Sequence, residues 1–320
     1  MRILALVPGG ISDQILFFPT IDNLRGRYPE AEIDVVVEPR ATAAYRVSKS
    51  VDKVISFDFK DVNGPADWGN LLGILRDQEY DVAMSLGRRF GVGFLLWLTG
   101  IPVRIGFDTG VSKLFLSNPV TLNLDQYAAQ MYHDLVTGLG ITAPCPDLSI
   151  NVPKADIDWA EAEQQRLGIK DSGYVLIHGG ASQLSQKLGI DKIYPVIQWQ
   201  QIIKDLQTRQ PNIPVVIIKG PDDGKFIDSF LAVCPDLKVI SPTDIGKLAA
   251  MIAGANLMLC TNSAPMHLAV AVGTYTIALF GPSDPAKLLP SNGRSISIKS
   301  RTGKIADIPP SDVLEQIWKG

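Results

Sequence analysis

The residues best placed for chemistry stand where short apolar runs give way to helical patterns. The densest such stretch is Thr261-Asn262-Ser263-Ala264-Pro265-Met266-His267, which follows the apolar run Leu257–Cys260. Ser263 fits an N-cap, Pro265 the first helical turn, and Gly273 the C-terminal stop. A helix start offers unpaired backbone N–H groups and a partial positive charge, which suit a diphosphate. His267, in that first turn, is a candidate second donor to such an anion or a structural histidine. The next apolar run ends in Phe280-Gly281-Pro282-Ser283-Asp284-Pro285, a turn-rich loop on the same edge of the sheet.

Other candidates follow the same strand-to-helix logic. Gly9-Gly10-Ile11-Ser12-Asp13 puts a carboxylate at the start of the first helix, where it favours the helix dipole whatever else it does. The turn His178-Gly179-Gly180-Ala181-Ser182 can offer backbone or hydroxyl donors, although Gly-rich turns after strands are mostly structural. Where a dinucleotide enzyme would carry GxGxxG, PGGISDQ stands instead, which argues against a nicotinamide dehydrogenase. His133, His178 and His267 form no HExxH, and Cys145, Cys234 and Cys260 form no CxxC, so neither a zinc centre nor a disulfide framework is expected.

The elements that must position these residues alternate. Arg2–Val7, Glu32–Val37, Lys53–Phe57, Asp81–Met84 and Val103–Phe107 read as strands. Asp13–Arg27, Trp68–Glu79, Phe90–Thr99 and Gln126–Leu139 read as helices between them. After a pause marked by Pro144, Pro146 and Pro153, strands at Val175–His178, Pro214–Lys219, Leu237–Ile240, Leu257–Cys260 and Thr276–Phe280 resume. They alternate with helices at Ile197–Thr208, Lys225–Val233, Ile245–Ala253 and Ala264–Val272. A terminal helix, Ser311–Lys319, takes Ser311 as its N-cap. Alternating strands and helices predict mostly parallel sheets with ligand crevices at the carboxyl ends of the strands.

At 320 residues the chain suggests two domains of about 150 residues each, and we place them at 1–155 and 156–320. With 46% hydrophobic and 20% charged residues, burial can offset chain entropy and disorder is not expected. Thirty basic against 33 acidic residues, a net of −3, give no general electrostatic reason to bind nucleic acid. Met1–Gly10 reads as a first strand and turn rather than a secretory signal, which points to a cytoplasmic protein. The most apolar segment, Phe90–Leu98, is shorter than the roughly 20 residues a membrane span needs. It reads as a buried helix, with a membrane-surface contact as the alternative.

The stretch Asn262-Ser263-Ala264-Pro265-Met266-His267-Leu268-Ala269-Val270-Ala271, followed by Phe280-Gly281-Pro282-Ser283-Asp284-Pro285, resembles the signature of glycosyltransferase family 9, typified by ADP-heptose:lipopolysaccharide heptosyltransferases. The resemblance extends to Gly9–Asp13 with Pro19 and Arg27-Tyr28-Pro29. It continues through the segment from Tyr80 to Asp108, the turn at 178–182, Lys192-Ile193-Tyr194-Pro195, and Lys219-Gly220-Pro221-Asp222-Asp223.

It implies a GT-B fold: two Rossmann-like α/β domains with mostly parallel sheets facing a central cleft, an acceptor-side domain first and a donor domain second. It further implies an inverting, metal-independent transferase without cofactor, using a nucleotide-sugar donor, most simply an ADP-sugar. The implied acceptor is a glycan or glycolipid, and a peripheral contact with the inner face of a membrane is allowed.

Residue roles follow from the same resemblance. Asp13 corresponds to the base, with Gly10 and Ser12 on the acceptor side. Lys192 corresponds to the lysine that meets the donor phosphates; Lys187, five residues earlier, is the alternative in register. Ser182, Asn262, Ser263, Ala264 and His267 frame the donor, and Asp223 accepts from its ribose or is a turn residue only. Asn262 stands where the signature has Asp, Ala264 where it has Gly, and Ser12 where a turn glycine is usual. These departures imply an altered sugar preference or a non-catalytic sugar-nucleotide or glycan-binding relative.

Overall fold

Near-continuous Val, Ile and Leu runs need cover on both faces of a sheet. The protein supplies that cover twice in a computed structural model that describes residues 1–59, 63–180 and 189–319. The chain divides into two units, Met1–Asn151 and Val152–Gly320.

The first unit has strands β1 (Arg2–Val7), β2 (Glu32–Val37), β3 (Lys53–Ser56), β4 (Val82–Ser85), β5 (Val103–Phe107) and β6 (Asn118–Val120). They lie in the order β3-β2-β1-β4-β5-β6, and every ladder is parallel. Helices α1 (Ile11–Arg27), α2 (Pro65–Asp77) and α3 (Phe90–Thr99) and 3₁₀ turns at Pro39–Val47 and Gly110–Phe115 connect them, and α4 (Ala128–His133) with a 3₁₀ turn at Asp134–Leu139 follows β6. One face of the sheet packs Leu4, Leu6, Val36 and Ala83 against Leu71 and Leu75 of α2 and Leu95 and Leu96 of α3. Burying each such side chain contributes about 1.5–3 kcal/mol.

The second unit repeats the design. Strands β7 (Val175–His178), β8 (Val215–Ile218), β9 (Lys238–Ile240), β10 (Leu257–Thr261), β11 (Thr276–Phe280) and β12 (Ser295–Lys299) lie in the order β12-β11-β10-β7-β8-β9, all parallel. Its helices among the described residues are α5 (Lys154–Arg166), α6 (Val196–Arg209), α7 (Gly224–Val233), α8 (Ile245–Ala253), α9 (Ala264–Ala271) and α10 (Pro310–Lys319). Trp199, Tyr194 and Phe230 are fully buried in its core.

Counted from its own first strand, each sheet reads third, second, first, fourth, fifth, sixth. The strand order therefore reverses between β1 and β4 in one unit and between β7 and β10 in the other, which is where doubly wound sheets hold ligands. Asp13 follows β1, and residues 262–267 follow β10.

Several expectations are corrected. The segment Gln126–Leu139 is not one helix: it tightens to a 3₁₀ turn at Asp134, which brings Gly138 so close to Ile105 that a Cβ would lie 2.7 Å from its Cγ2. Helix α10 starts at Pro310, so Ser311 lies inside the first turn rather than capping it; a missing proline N–H costs nothing there. Helix α3 is only half buried, since Phe90, Phe94 and Trp97 are exposed. Edge strands β6 and β12 and the largely polar α5 were not expected. Pro119 obscures β6, and only Asp156 and Ala160 of α5 are buried, which leaves little apolar period to read.

Candidate functional site

In the second unit β7 and β10 run side by side with Cys260 opposite His178, so the segments leaving both strands emerge together. Ser263 takes the N-cap position of α9 in extended backbone (φ −157°, ψ 174°), but its hydroxyl caps nothing. Its Oγ instead lies 3.2 Å from His178 Nδ1 and 3.1 Å from Thr261 O, to which it donates. The side chain that would ordinarily close the helix start is thus turned away from it, and the anion-binding character of that start is kept.

His178 is in turn held by a carboxylate. Its Nε2 lies 3.6 Å from Asp223 Oδ2, and the same oxygen accepts from Gly220 N–H at 2.8 Å. Both side chains are buried: Asp223 is 5% and His178 7% exposed. Glycines make the room, because a Cβ on Gly180 would lie 1.9 Å from Asp223 Oδ1 and one on Gly220 2.7 Å from Oδ2. Burial pushes the Asp223 carboxyl up, but the adjacent His178 imidazole and the Gly220 N–H outweigh it and hold it below the usual carboxylate range. Asp223 is therefore engaged with His178 and Gly220 beneath the glycine turn rather than standing on a surface turn.

His267 is 1% exposed in the first turn of α9. Burial, and after it the Lys192 ammonium, push its imidazole down to about 3, so at neutral pH it is uncharged and donates one N–H at most. Its Nδ1 has no hydrogen-bond partner among the described residues. The charge of Lys192 acting on it places these two residues in one neighbourhood. Asn262, 7% exposed, and Ala264 complete the turn. Ser182, Ala181 and Lys187 lie outside the described residues.

The segment carrying Lys192 is stapled down at several points. Asp191 Oδ2 accepts from Ile305 N–H at 2.8 Å, the Tyr194 hydroxyl donates to Ile308 O at 2.8 Å, and Gln198 Nε2 donates to Ala306 O at 2.9 Å. Beneath it lies the Phe-Gly-Pro turn: a Cβ on Gly281 would stand 2.6 Å from Asp191 O. Lys299 fixes that turn by donating to Gly281 O, and to Ser283 O at 2.8 Å. Phe280–Pro285 is thus the seat of the Lys192 segment.

In the first unit Asp13 is the third residue of α1. Its Oδ2 accepts from Gly10 N–H at 2.7 Å and its Oδ1 from the Tyr132 hydroxyl at 3.0 Å. The carboxylate folds back over the loop because Gly9 has no side chain; a Cβ there would lie 2.4 Å from Oδ2. Buried Gln14 pins the same loop, donating to Val7 O at 3.0 Å while accepting from Tyr45 at 2.7 Å.

Burial first, then the Asp13 charge, raise the Tyr132 phenol far above its ordinary range, with Arg88 acting in the opposite sense, so Tyr132 stays a donor. Asp13 is partly exposed, which leaves lone pairs for an incoming hydroxyl. Ser12 sits in helical backbone and is not among the residues at positive φ, so it strains no turn. Reading the sequence missed Tyr132, His178 as a partner of Ser263, and the role of Gly281. Among the described residues no three His, Cys, Asp or Glu side chains gather as metal ligands.

Comparison with known proteins adds three kinds of likeness. The model of glycosyltransferase family 9 (heptosyltransferase) matches residues 68–317. Lipopolysaccharide heptosyltransferase 3 of Escherichia coli is 25% identical over 85% of this chain and 81% of its own. The photosynthetic NDH subunit of subcomplex B 1 from the chloroplast of Arabidopsis thaliana is also 25% identical, over all of this chain and 74% of its own. Among solved structures, E. coli heptosyltransferase WaaC with ADP-2-deoxy-2-fluoro heptose superposes with a TM-score of 0.78 at 18% identity, covering 100% of this chain and 99% of that one. The last likeness shows the fold, which is GT-B-like.

Proposed function

From the premise that this chain belongs to glycosyltransferase family 9 and is a glycosyltransferase, we propose that it moves a sugar, heptose in the simplest case, from an ADP-linked donor to a glycan or glycolipid acceptor by inverting, metal-independent displacement. Asp13 takes the proton of the acceptor hydroxyl, and that oxygen forms the new bond to the anomeric carbon. The bond from the anomeric carbon to the diphosphate breaks as it forms, and the leaving group carries the electron pair away. Its growing charge is met by the N–H groups at the start of α9 and by Lys192, with neutral His267 as a single donor.

The observation that carries this reading is the helix start of α9 beside Lys192, which the Ser263 side chain does not cap: its hydroxyl is committed to His178 and Thr261, so among the described residues the N-cap side chain leaves the start open. The donor bound to WaaC is an ADP-sugar analogue, and the same nucleotide is proposed here. Ser182, though undescribed, is proposed to flank the phosphates. Asp223, through His178, is proposed to set the orientation of Ser263, in addition to the ribose contact its other oxygen could make. Asp13→Ala should abolish transfer while ADP still stabilises the protein; undiminished turnover would sink the assignment.

A second reading is favoured by Asn262, which lacks the charge of an aspartate at a 7%-exposed position. On that reading the chain is a non-catalytic sugar-nucleotide or glycan binder, and the likeness to a photosynthetic NDH subunit is in keeping with such a change of use. Turnover that appears only after Asn262→Asp would support it. Efficient transfer by the unaltered protein would remove it.

A further inference from the structure

Helix α3 is apolar on every side but buried on one. Val92, Leu95 and Leu96 enter the core, while Phe90, Phe94 and Trp97, spaced to share one face, are 55%, 38% and 52% exposed. The 3₁₀ turn Gly110–Phe115 packs alongside and adds Val111 and Leu114, which are 59% and 74% exposed. The rings touch one another: Phe90 and Phe94 stack at 5.8 Å, and Phe94 and Trp97 at 5.9 Å. Phe115 lies 5.3, 5.6 and 6.3 Å from the three in turn.

The turn beside the helix is held at two points. Gly93 lets the turn approach, since a Cβ there would be 3.0 Å from Ser112 O, and the Arg104 guanidinium fastens the turn through Phe115 O at 2.8 Å.

Charge decides what fits it. Residues 86–116 carry four basic side chains (Arg88, Arg89, Arg104, Lys113) against one acidic, in a chain whose net charge is −3. Arg104 is engaged with Phe115 O, and Lys113 with Asp108 at 3.2 Å, so the basic rim is Arg88 and Arg89. Arg88 and Arg89 are exposed at the very start of α3, beside Phe90. Exposed aromatic rings packed on one another, with guanidinium groups at the rim, match the boundary of a bilayer that bears anionic headgroups.

We propose that this face docks the protein on an anionic lipid bilayer, with Phe90, Phe94, Trp97 and Leu114 in the headgroup boundary and Arg89 on lipid phosphate. The proposal deepens the glycolipid-acceptor reading above and rests on it only for the reason a membrane is approached. It also gives α3 a function near Asp13, because the loop from β4 into α3 carries Arg88, whose charge reaches Tyr132.

The test is flotation of the full chain with vesicles of phosphatidylcholine alone or mixed with phosphatidylglycerol, at low and high salt. Binding to the mixed vesicles, weakened by salt, is expected. The double variant Phe94→Ser, Trp97→Ser should bind them at least about tenfold less, with unchanged circular dichroism, because both side chains are exposed. Absence of binding to anionic vesicles, or equal binding by the variant, would overturn the proposal. So would a parent dimer that the variant disperses and that leaves vesicles untouched, since the face would then belong to a second copy. Stabilisation by ADP is read on the same samples, so failure of the donor-site reading is seen separately from failure of docking.

Discussion

His267 meets a lysine where His178 meets a carboxylate, and the difference sets what each can do at the start of α9. Buried beside the Lys192 ammonium, His267 stays neutral down to about pH 3, whereas an unfolded histidine titrates near 6.5. Between those values the unfolded chain binds the extra proton and the folded one does not. Stability must therefore fall as pH drops below about 6.5, with a limiting slope of about 1.4 kcal/mol per pH unit from this residue. His267→Gln should flatten that part of the profile whatever it costs at neutral pH. Urea unfolding at a series of pH values checks this; an unchanged slope would mean that His267 is not held neutral by the fold. The partly exposed carboxylate of Asp13 is controlled differently, by one backbone N–H and one phenol, which fix its direction without burying it fully.

At the scale of elements, most strands and helices were legible because apolar runs and turn residues mark them, and the helix start at Ala264 was legible because Ser263 and Pro265 announce it. What could not be read is what long-range packing decides. His178 and Asp223 are in different strand-helix units, and Tyr132 reaches Asp13 across 119 residues. No local pattern links such pairs. Gly281 is the instructive case: its turn chemistry was visible, but its purpose is the close approach of Asp191 O from a distant loop. Gly281→Ala should push the Asp191 carbonyl aside and with it Lys192, at a cost of about 1–3 kcal/mol in stability. ADP affinity should fall by more than general loosening explains, so Ile227→Val, a change to a buried side chain of α7, serves as control. Equal ADP binding by Gly281→Ala and the parent would detach the turn from the phosphate site.

For the molecule as a whole, the two units share one strand order, yet their switch points are furnished for different tasks. One presents a carboxylate, Asp13, after a glycine turn. The other presents an uncapped helix start, a neutral histidine and a lysine. An anionic nucleotide should therefore choose the switch point of the second unit, whose helix start and lysine meet a diphosphate, over the one that presents Asp13. ADP at a hundred times its dissociation constant should stabilise the protein by about 2.7 kcal/mol, and UDP and GDP by less if the base is read. Hydrogen exchange can place that gain: protection should rise at 178–180, 219–223 and 261–267, with residues 9–13 unchanged. Protection centred on 9–13 would reverse the assignment of donor and acceptor units. Protection at both would mean that the nucleotide is sensed by Asp13 as well, and Asp13→Ala would then alter ADP affinity rather than turnover alone.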